Sequence, residues 1–432
     1  MGTPTETREN HPQPEEPLVP DEDQAAPPTT DPLGQRLKEG LFGDAKNTIL
    51  TLLFGVVLAY VAYRSYLFVF DNMKATPDGG LVNSWRVVRD NLETFMVGTA
   101  FQNTGIGFPM LWAAIYTFTF ALGLAIGPAE PEKSLPMTTQ TKVSIIGPTA
   151  LGVLVLLNYT ETLTPKLLTL AIALVGAAGF YLVRVLPEAV LHRKGLILLA
   201  LAALGFLLET GFNLGNVDDF GGLLLTVNVA FISIVLCFPI GIVMALARRS
   251  SFPLIRPIAV AYIELVRGVP LITLLFMGAF ALSFFLPPGS SSPPATIRSI
   301  IMITLFSAAY VAEIVRGGLQ SVASGQTEAG QAVGLSPLTV TRKIVLPQAL
   351  RNSIPALVGQ FIALLKDTTL LIIISQFDIL GVTQPMLSSL EYANQGYAPE
   401  TYAFIAFIFW VICFSMSRAS QRLETKLGVG TR

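Results

Sequence analysis

Charge is what this sequence has least of. Asp, Glu, Lys and Arg together make up 13% of its 432 residues, about half the usual share in a soluble domain. Neither sign dominates: 28 basic against 29 acidic residues leave a formal net charge of −1, which offers no field to draw in nucleic acid. Cysteine is nearly missing. Cys237 and Cys413 lie in apolar runs and form no CxxC, which excludes a disulfide scaffold or a cysteine zinc site. His11 and His192 are the two histidines, too few for a histidine-rich metal centre. The phosphate-cradling pattern GxxxxGKS or GxxxxGKT does not occur. What remains is apolar: 52% of the chain, with a mean hydropathy of +0.60. That composition belongs to a membrane protein rather than a soluble enzyme.

Membrane spans need about 20 predominantly apolar residues each. Ten segments qualify, at about 48–70, 108–127, 143–159, 167–186, 196–212, 221–247, 258–285, 297–315, 353–376 and 401–417. Ahead of them, residues 1–33 hold eight prolines and eight acidic residues against the single basic Arg8. Such a stretch cannot bury enough apolar surface to offset its conformational entropy. Residues 1–47 are therefore expected to be a disordered, acidic, proline-rich cytoplasmic tail. Between the first two spans, Trp85 to Gly98 reads as a short amphipathic helix along the membrane surface. The expected fold is an all-α polytopic membrane protein. It divides into a leader domain of about five helices over 48–212 and a core of about five helices over 213–427.

Lys and Arg alternate between connections, which sets orientation. One set of connections carries clusters such as Arg193-Lys194, Arg248-Arg249 and Arg342-Lys343. The opposite set holds only Lys74, Arg86, Arg89, Lys166 and Arg298, with none in 210–220 or 377–400. Both termini are expected to be cytoplasmic, with 286–297 and 377–400 facing outward.

The connection 316–352 is the most informative stretch. It contains Gly325-Gln326-Thr327-Glu328-Ala329-Gly330-Gln331-Ala332-Val333-Gly334-Leu335, then Ser336-Pro337, then Ile344-Val345-Leu346-Pro347. Glu328 is expected to open a short helix, where a carboxylate suits the positive N-terminal end. Ala329, Gly330, Ala332 and Gly334 keep that helix thin enough to enter a partner's groove, and Gly334 is a natural residue to stop it. Ser336 then caps, and Pro337 starts, a second helix.

Two further patterns carry charge. Glu-x-x-Arg-Gly occurs twice, as Glu264/Arg267/Gly268 and Glu313/Arg316/Gly317. At i,i+3 spacing each pair can meet on one helix face. Either the pairs position the helices leading into the 316–352 connection, or they only neutralise charge at the membrane surface. Lys366 and Asp367, followed by Thr368, fall mid-span, where an ionisable residue is a functional candidate. Contact with a solute and a structural ion pair are both open there.

These strings resemble one family. The Glu-Ala-Gly…Gly…Ile-x-Leu-Pro pattern is similar to the cytoplasmic loop of permease subunits in ATP-binding-cassette importers. Gly221-Gly222-Leu223-Leu224-Leu225-Thr226, Ala247-Arg248-Arg249-Ser250, Glu264-Leu265-Val266-Arg267-Gly268-Val269-Pro270-Leu271 and Leu365-Lys366-Asp367-Thr368-Thr369-Leu370 narrow the likeness. They resemble the polar amino-acid permease family, especially its general L-amino-acid members. The likeness covers about 213–427, with Gly330 where the family's usual Glu-Ala-Ala has its second Ala.

The resemblance implies a type I importer core whose five spans begin outside the cell, a point the loop count also reaches. It implies import of L-amino acids, polar or broad in range, by alternating access in a bacterial cytoplasmic (inner) membrane. Glu328, Ala329, Gly330, Gly334, Leu335 and Pro347 would form the ATPase-coupling loop, Glu264, Arg267, Glu313 and Arg316 the helix-positioning pairs, and Lys366, Asp367 and Thr368 the candidate substrate pathway. The chain itself would be no enzyme and hold no cofactor or metal. ATP and Mg would belong to a cytoplasmic ATPase, expected in two copies. The other implied partners are a second permease subunit (a relative or a second copy), an external amino-acid-binding protein and the lipid bilayer. The other reading is a stand-alone secondary transporter or channel for small polar solutes, which would need no docking loop.

Overall fold

A computed structural model describes residues 41–75, 81–100, 111, 114–115, 220–287 and 292–428. Four of the expected spans, within 108–212, lie outside the described residues but for 111 and 114–115, as does the tail over 1–40. The chain divides into two compact units, Met1–Asn83 and Ser84–Arg432.

In the first unit, α1 (Ala45–Phe70) starts at Asp44, whose carboxylate accepts from the Ala45 N–H at 2.7 Å. It is apolar on every side and buries none of its residues, as suits a helix surrounded by lipid. Two short strands follow, β1 (Met73–Ala75) and β2 (Leu81–Asn83), paired antiparallel with Lys74 opposite Val82. This hairpin of two three-residue strands is a small exception in a fold that is otherwise helical among the described residues.

The second unit opens with α2 (Arg86–Asp90) and α3 (Leu92–Val97). A single helix lying along the membrane surface was the expectation for 85–98. Instead two short turns break at Asn91, and Val87, Phe95 and Val97 are fully buried in the main core. The apolar side of this segment is satisfied by protein, not by lipid. Its end packs backbone against backbone on the next helix, α4 (Gly222–Arg248). Gly98 and Gly222 both have positive φ, +82° and +59°, and a Cβ on Gly222 would sit 2.5 Å from the Phe95 carbonyl oxygen. Only glycine combines that backbone with that approach.

α4 runs unbroken through Pro239. The expected span 258–285 is broken: α5 (Ile255–Gly268) meets the run Leu271–Ala281, which opens with α6 (Leu271–Phe276), at a 105° bend. Pro270 is the cause. It holds Val269 extended (φ −109°, ψ 137°) and has no N–H to continue the ladder. The chain then continues as a π turn, Met277–Ala281, and a 3-10 turn, Leu282–Phe285.

α7 (Ala295–Gln320) packs along α4, where a Cβ on Gly241 would overlap Val311. A short α8 (Ser324–Ala332) follows. α9 (Pro337–Val340), a π turn (Thr341–Val345), α10 (Leu346–Asp367) and a 3-10 turn (Thr368–Ile374) then form one run of 38 residues. The expected connection 316–352 is thus mostly helical. Gly317 and Gly318 do not end α7, because Ala349 and Ser353 of α10 pack against Gly318. The chain closes with α11 (Thr383–Leu387) and α12 (Ala398–Leu427). Among the described residues, five helices are long and apolar enough to cross a membrane, or six if α5–α6 is one span.

Candidate functional site

The site lies where Arg248 and Arg267, in the last turns of α4 and α5, meet Glu313 and Arg316 near the end of α7, with α8 following α7 in the chain. α8 begins at Ser324, four residues earlier than expected, so Glu328 sits in its middle instead of opening it. The Gln326 N–H already bonds back to the Ala323 carbonyl at 3.0 Å, and no acidic residue lies in the first turn. The helix stops at Gly334, with φ +82°. There the Gly334 N–H donates to Gln331 at 2.9 Å and the Leu335 N–H to Gly330 at 3.2 Å. These two bonds make a Schellman motif, which satisfies the last carbonyls. Ser336 accepts from the Thr339 N–H at 3.3 Å and caps α9.

Glu328, Ala329, Gly334 and Leu335 are exposed, as are Val333 at 76% and Leu338 at 79%. Gly330 differs from its neighbours. It is buried, and a Cβ there would sit 2.9 Å from Val340 Cγ2 and 3.1 Å from Ile344 Cδ1. Its small size serves packing of α8 on the α9 run rather than a thin outer face. Pro347 is exposed and follows the π turn, in which the Leu346 N–H reaches back to Thr341. A missing N–H at Pro347 suits that shift from i+4 to i+5 bonding.

The two Glu-x-x-Arg-Gly copies are not equivalent. Glu313 does meet Arg316, with Nη2 and Nε at 2.8 and 3.0 Å from Oε2. Glu264 instead meets Arg248 of α4 at 2.9 Å, and Arg267 reaches across to Glu313 at 3.6 Å. Arg248 also donates to Glu313 Oε1 at 2.6 Å. One carboxylate, 15% exposed, therefore gathers three guanidiniums from α4, α5 and α7, while Glu264, 58% exposed, holds one. Arg267 also lies 5.3 Å above the Tyr310 ring, a cation–π contact. Sequence reasoning missed Arg248 and Tyr310 as members of this junction. An i,i+3 rule sees only one helix at a time.

Arg249 extends the junction toward α8 by donating to the Leu319 carbonyl. Between them lies a cavity of about 580 Å³, lined among others by Arg249, Ser321, Ser324, Thr327, Glu328 and Val345. α10 is tied to the same end: Asn352 donates to Ser321 at 2.8 Å, and Ser353 to Ile314 at 3.3 Å.

Lys366 and Asp367 lie elsewhere, at the switch from α10 to the 3-10 turn, and no ion pair joins them among the described residues. Lys366 is exposed and Asp367 half-buried. Thr368 is fully buried, and its hydroxyl donates to Leu365 at 2.9 Å. Among the described residues, no cluster of His, Cys, Asp and Glu could hold a metal ion.

Residues 237–429 match the family described as binding-protein-dependent transport system inner membrane component. The chain is 45% identical over 211 residues to the glutamate/glutamine/aspartate/asparagine transport system permease protein of Rhodobacter capsulatus, covering 49% of this chain and 48% of that one. It is 34% identical over 205 residues to a protein of Bacillus subtilis named a probable glutamine ABC transporter permease, covering 48% of this chain and 91% of that one. The chain thus spans about half the length of the first relative and nearly all of the second. A crystal structure of an amino acid ABC transporter with histidines aligns at 32% identity and a TM-score of 0.42, over 48% of this chain and 92% of that one.

Proposed function

Because the chain belongs to the family of binding-protein-dependent transport system inner membrane components, we propose that it is the permease subunit of an ATP-driven importer for L-amino acids. The names of two relatives, one for glutamate, glutamine, aspartate and asparagine and one for glutamine, support a polar amino-acid substrate. A permease of this kind is a non-catalytic subunit. ATP and Mg then act on a separate ATPase, and solute crosses by alternating access.

One observation carries this reading. α8 is a nine-residue helix with a defined stop, flanked by exposed Val333 and Leu338, and suspended beneath a junction that ties together α4, α5 and α7. Exposed apolar residues beside an exposed helix are what a partner protein covers. On this reading α8 docks on the ATPase at the cytoplasmic face, with Glu328, Ala329, Gly334 and Leu335 on the contact side. The Arg–Glu junction passes the displacement to the spanning helices. A bound nucleotide shifts the conformational balance only through differential contacts there. The arginine-rich end is then cytoplasmic, both termini with it, and 286–297 and 377–400 face outward, toward an external binding protein. A second permease subunit completes the pathway, and Asp367 and Lys366 are this chain's candidates to meet the ammonium and carboxylate of the solute.

The test is reconstitution in proteoliposomes with a candidate ATPase and binding protein from the same organism. Substrate-loaded binding protein should raise ATP hydrolysis and drive uptake of labelled amino acid. Gly334→Trp should abolish both: a Cβ there meets no neighbour in the chain itself, but the ring would block docking. Since the left-handed φ of +82° strains any side chain, insertion and assembly are measured alongside. Gradient-driven uptake by the chain alone would overturn the proposal in favour of a secondary transporter. Orientation is tested separately by Ser389→Cys in a background lacking Cys237 and Cys413. An impermeant maleimide should label it in intact cells, and failure to label would reverse the proposed topology.

A further inference from the structure

At the end of the core opposite the arginine junction, the start of α4 carries no side-chain cap. A strap of chain after the long helical run supplies one. The Phe377 carbonyl accepts from the Gly222 N–H at 2.9 Å, and Asp378 bridges Gly222 in parallel. Thr226 closes the pair by accepting from the Ile379 N–H at 3.3 Å while donating to the Gly222 carbonyl at 3.1 Å. A second tie runs from Thr296 of α7 to Gln376 at 2.9 Å.

Asp378 sits at the centre of this strap and is fully buried. Its Oδ1 accepts from the Leu380 and Gly381 N–H groups at 3.1 and 2.7 Å. Its Oδ2 is buried and has no hydrogen-bond partner. Among the described residues, the charged groups on the elements around it are Arg86, Arg89 and Asp90 of α2, Glu93 of α3, Arg298 of α7, Lys366 and Asp367 at the end of α10, Glu391 in the loop and Glu400 of α12. None pairs with Asp378: Arg86 holds Asp90 and Glu391, and Arg298 donates to the Ala279 carbonyl. The first turn of α4 holds no charge at all. A carboxylate in such a place would bury a charge with one oxygen lacking any donor or cation, whereas the neutral acid buries only an O–H, a much smaller cost.

We propose that Asp378 works as a protonated carboxylic acid, a positioning residue that latches the 377–383 strap over the first turn of α4 and releases it when the proton leaves. On release the carboxylate moves toward water, the Gly222 and Ile379 bonds part, and the start of α4 is freed. Burial agrees in direction, pushing the Asp378 carboxyl from its ordinary 3.8 up to about 7. The closed strap keeps a proton that the open one sheds above about pH 4. The latch is therefore tightest in acid, weakens from about pH 4 to about pH 7, and changes no further above that.

Hydrogen exchange of the assembled complex in nanodiscs tests this and needs neither substrate nor ATP, so its outcome is independent of the transport assignment. After correction for intrinsic exchange, opening of peptides covering 222–226 and 377–383 should rise by up to about tenfold per pH unit between 5 and 7, then level off. Asp378→Asn keeps the Oδ1 acceptor and cannot ionise, so its opening should not vary with pH. Wild-type protection that stays flat over this range, or an equal rise in Asp378→Asn, would overturn the proposal. If Asp378→Asn does not assemble, infrared titration of the wild-type complex with labelled aspartate decides. Loss of a protonated-acid carbonyl band near pH 7 supports the latch, and absence of any such band at pH 5 refutes it.

Discussion

The two ends of the core are fastened by different means. At one end α4, α5 and α7 are held by long side chains, with Arg248, Arg267 and Arg316 sharing Glu313 across distances of 2.6 to 3.6 Å. At the other, α3 meets α4 through glycine, with no side chain between the Phe95 carbonyl and Gly222. Guanidinium–carboxylate contacts tolerate small shifts and exchange partners, and water and salt reach them. Backbone contacts at Gly98 and Gly222 leave no such play. The first end can adjust by small steps, while the second leaves no room for a side chain.

The largest test is at the glycine end. Gly222→Ala asks an L residue to keep φ +59° with its Cβ 2.5 Å from a carbonyl oxygen. The left-handed backbone and the overlap together should cost about 3 kcal/mol, read as a fall in melting temperature or failed assembly. An unchanged melt would show that this end also has slack. Next comes Glu313→Gln, which leaves three guanidiniums without their shared carboxylate. Because the site is partly hydrated, the loss should be about 2 kcal/mol. ATP hydrolysis by the reconstituted complex should then lose its response to substrate before it loses its basal rate.

Glu264→Gln sharpens the contrast between the two Glu-x-x-Arg-Gly copies. Glu264 is 58% exposed and holds Arg248 alone, so the change should cost less than about 1 kcal/mol and vanish in high salt. Equal losses for Glu264→Gln and Glu313→Gln would mean the copies are interchangeable after all. The smallest effect is expected at Gly330→Ala. A gain of about 1 kcal/mol in helix propensity is offset by crowding of Val340 and Ile344, whose ends lie 2.9 and 3.1 Å from the new methyl. The net change in melting should be within error.

What was legible in the sequence follows the range of the forces involved. Segments near 48–70, 221–247, 297–315 and 401–417 stand out because apolar length is a local property, and helices do lie there. The Ser336-Pro337 start and the Gly334 stop are equally local, set by one hydroxyl, one ring and one missing Cβ. The start of α8 was misplaced because Glu328 suits a first turn without compelling one. Pro270 signals a break, but its 105° bend depends on the neighbours that α5 and α6 find. The partner exchange between Glu264 and Arg267 could not be read, since it joins three helices. Nor could the burial of Val87, Phe95 and Val97, whose amphipathic spacing suits a membrane surface as well as a protein core.

The 38-residue run from Pro337 to Ile374 has a mechanical consequence. At the rise of an α-helix it is about 55 Å long, and it contains no loop. It starts three residues beyond the Gly334 stop of α8, and one residue after its end, Ser375 turns left-handed into the strap that carries Asp378. The run is thus a strut between α8 and the strap, whose places to bend are the π turn at Thr341–Val345 and Pro355. If α8 docks as proposed, a shift there reaches the Asp378 strap through continuous helix rather than through a loop.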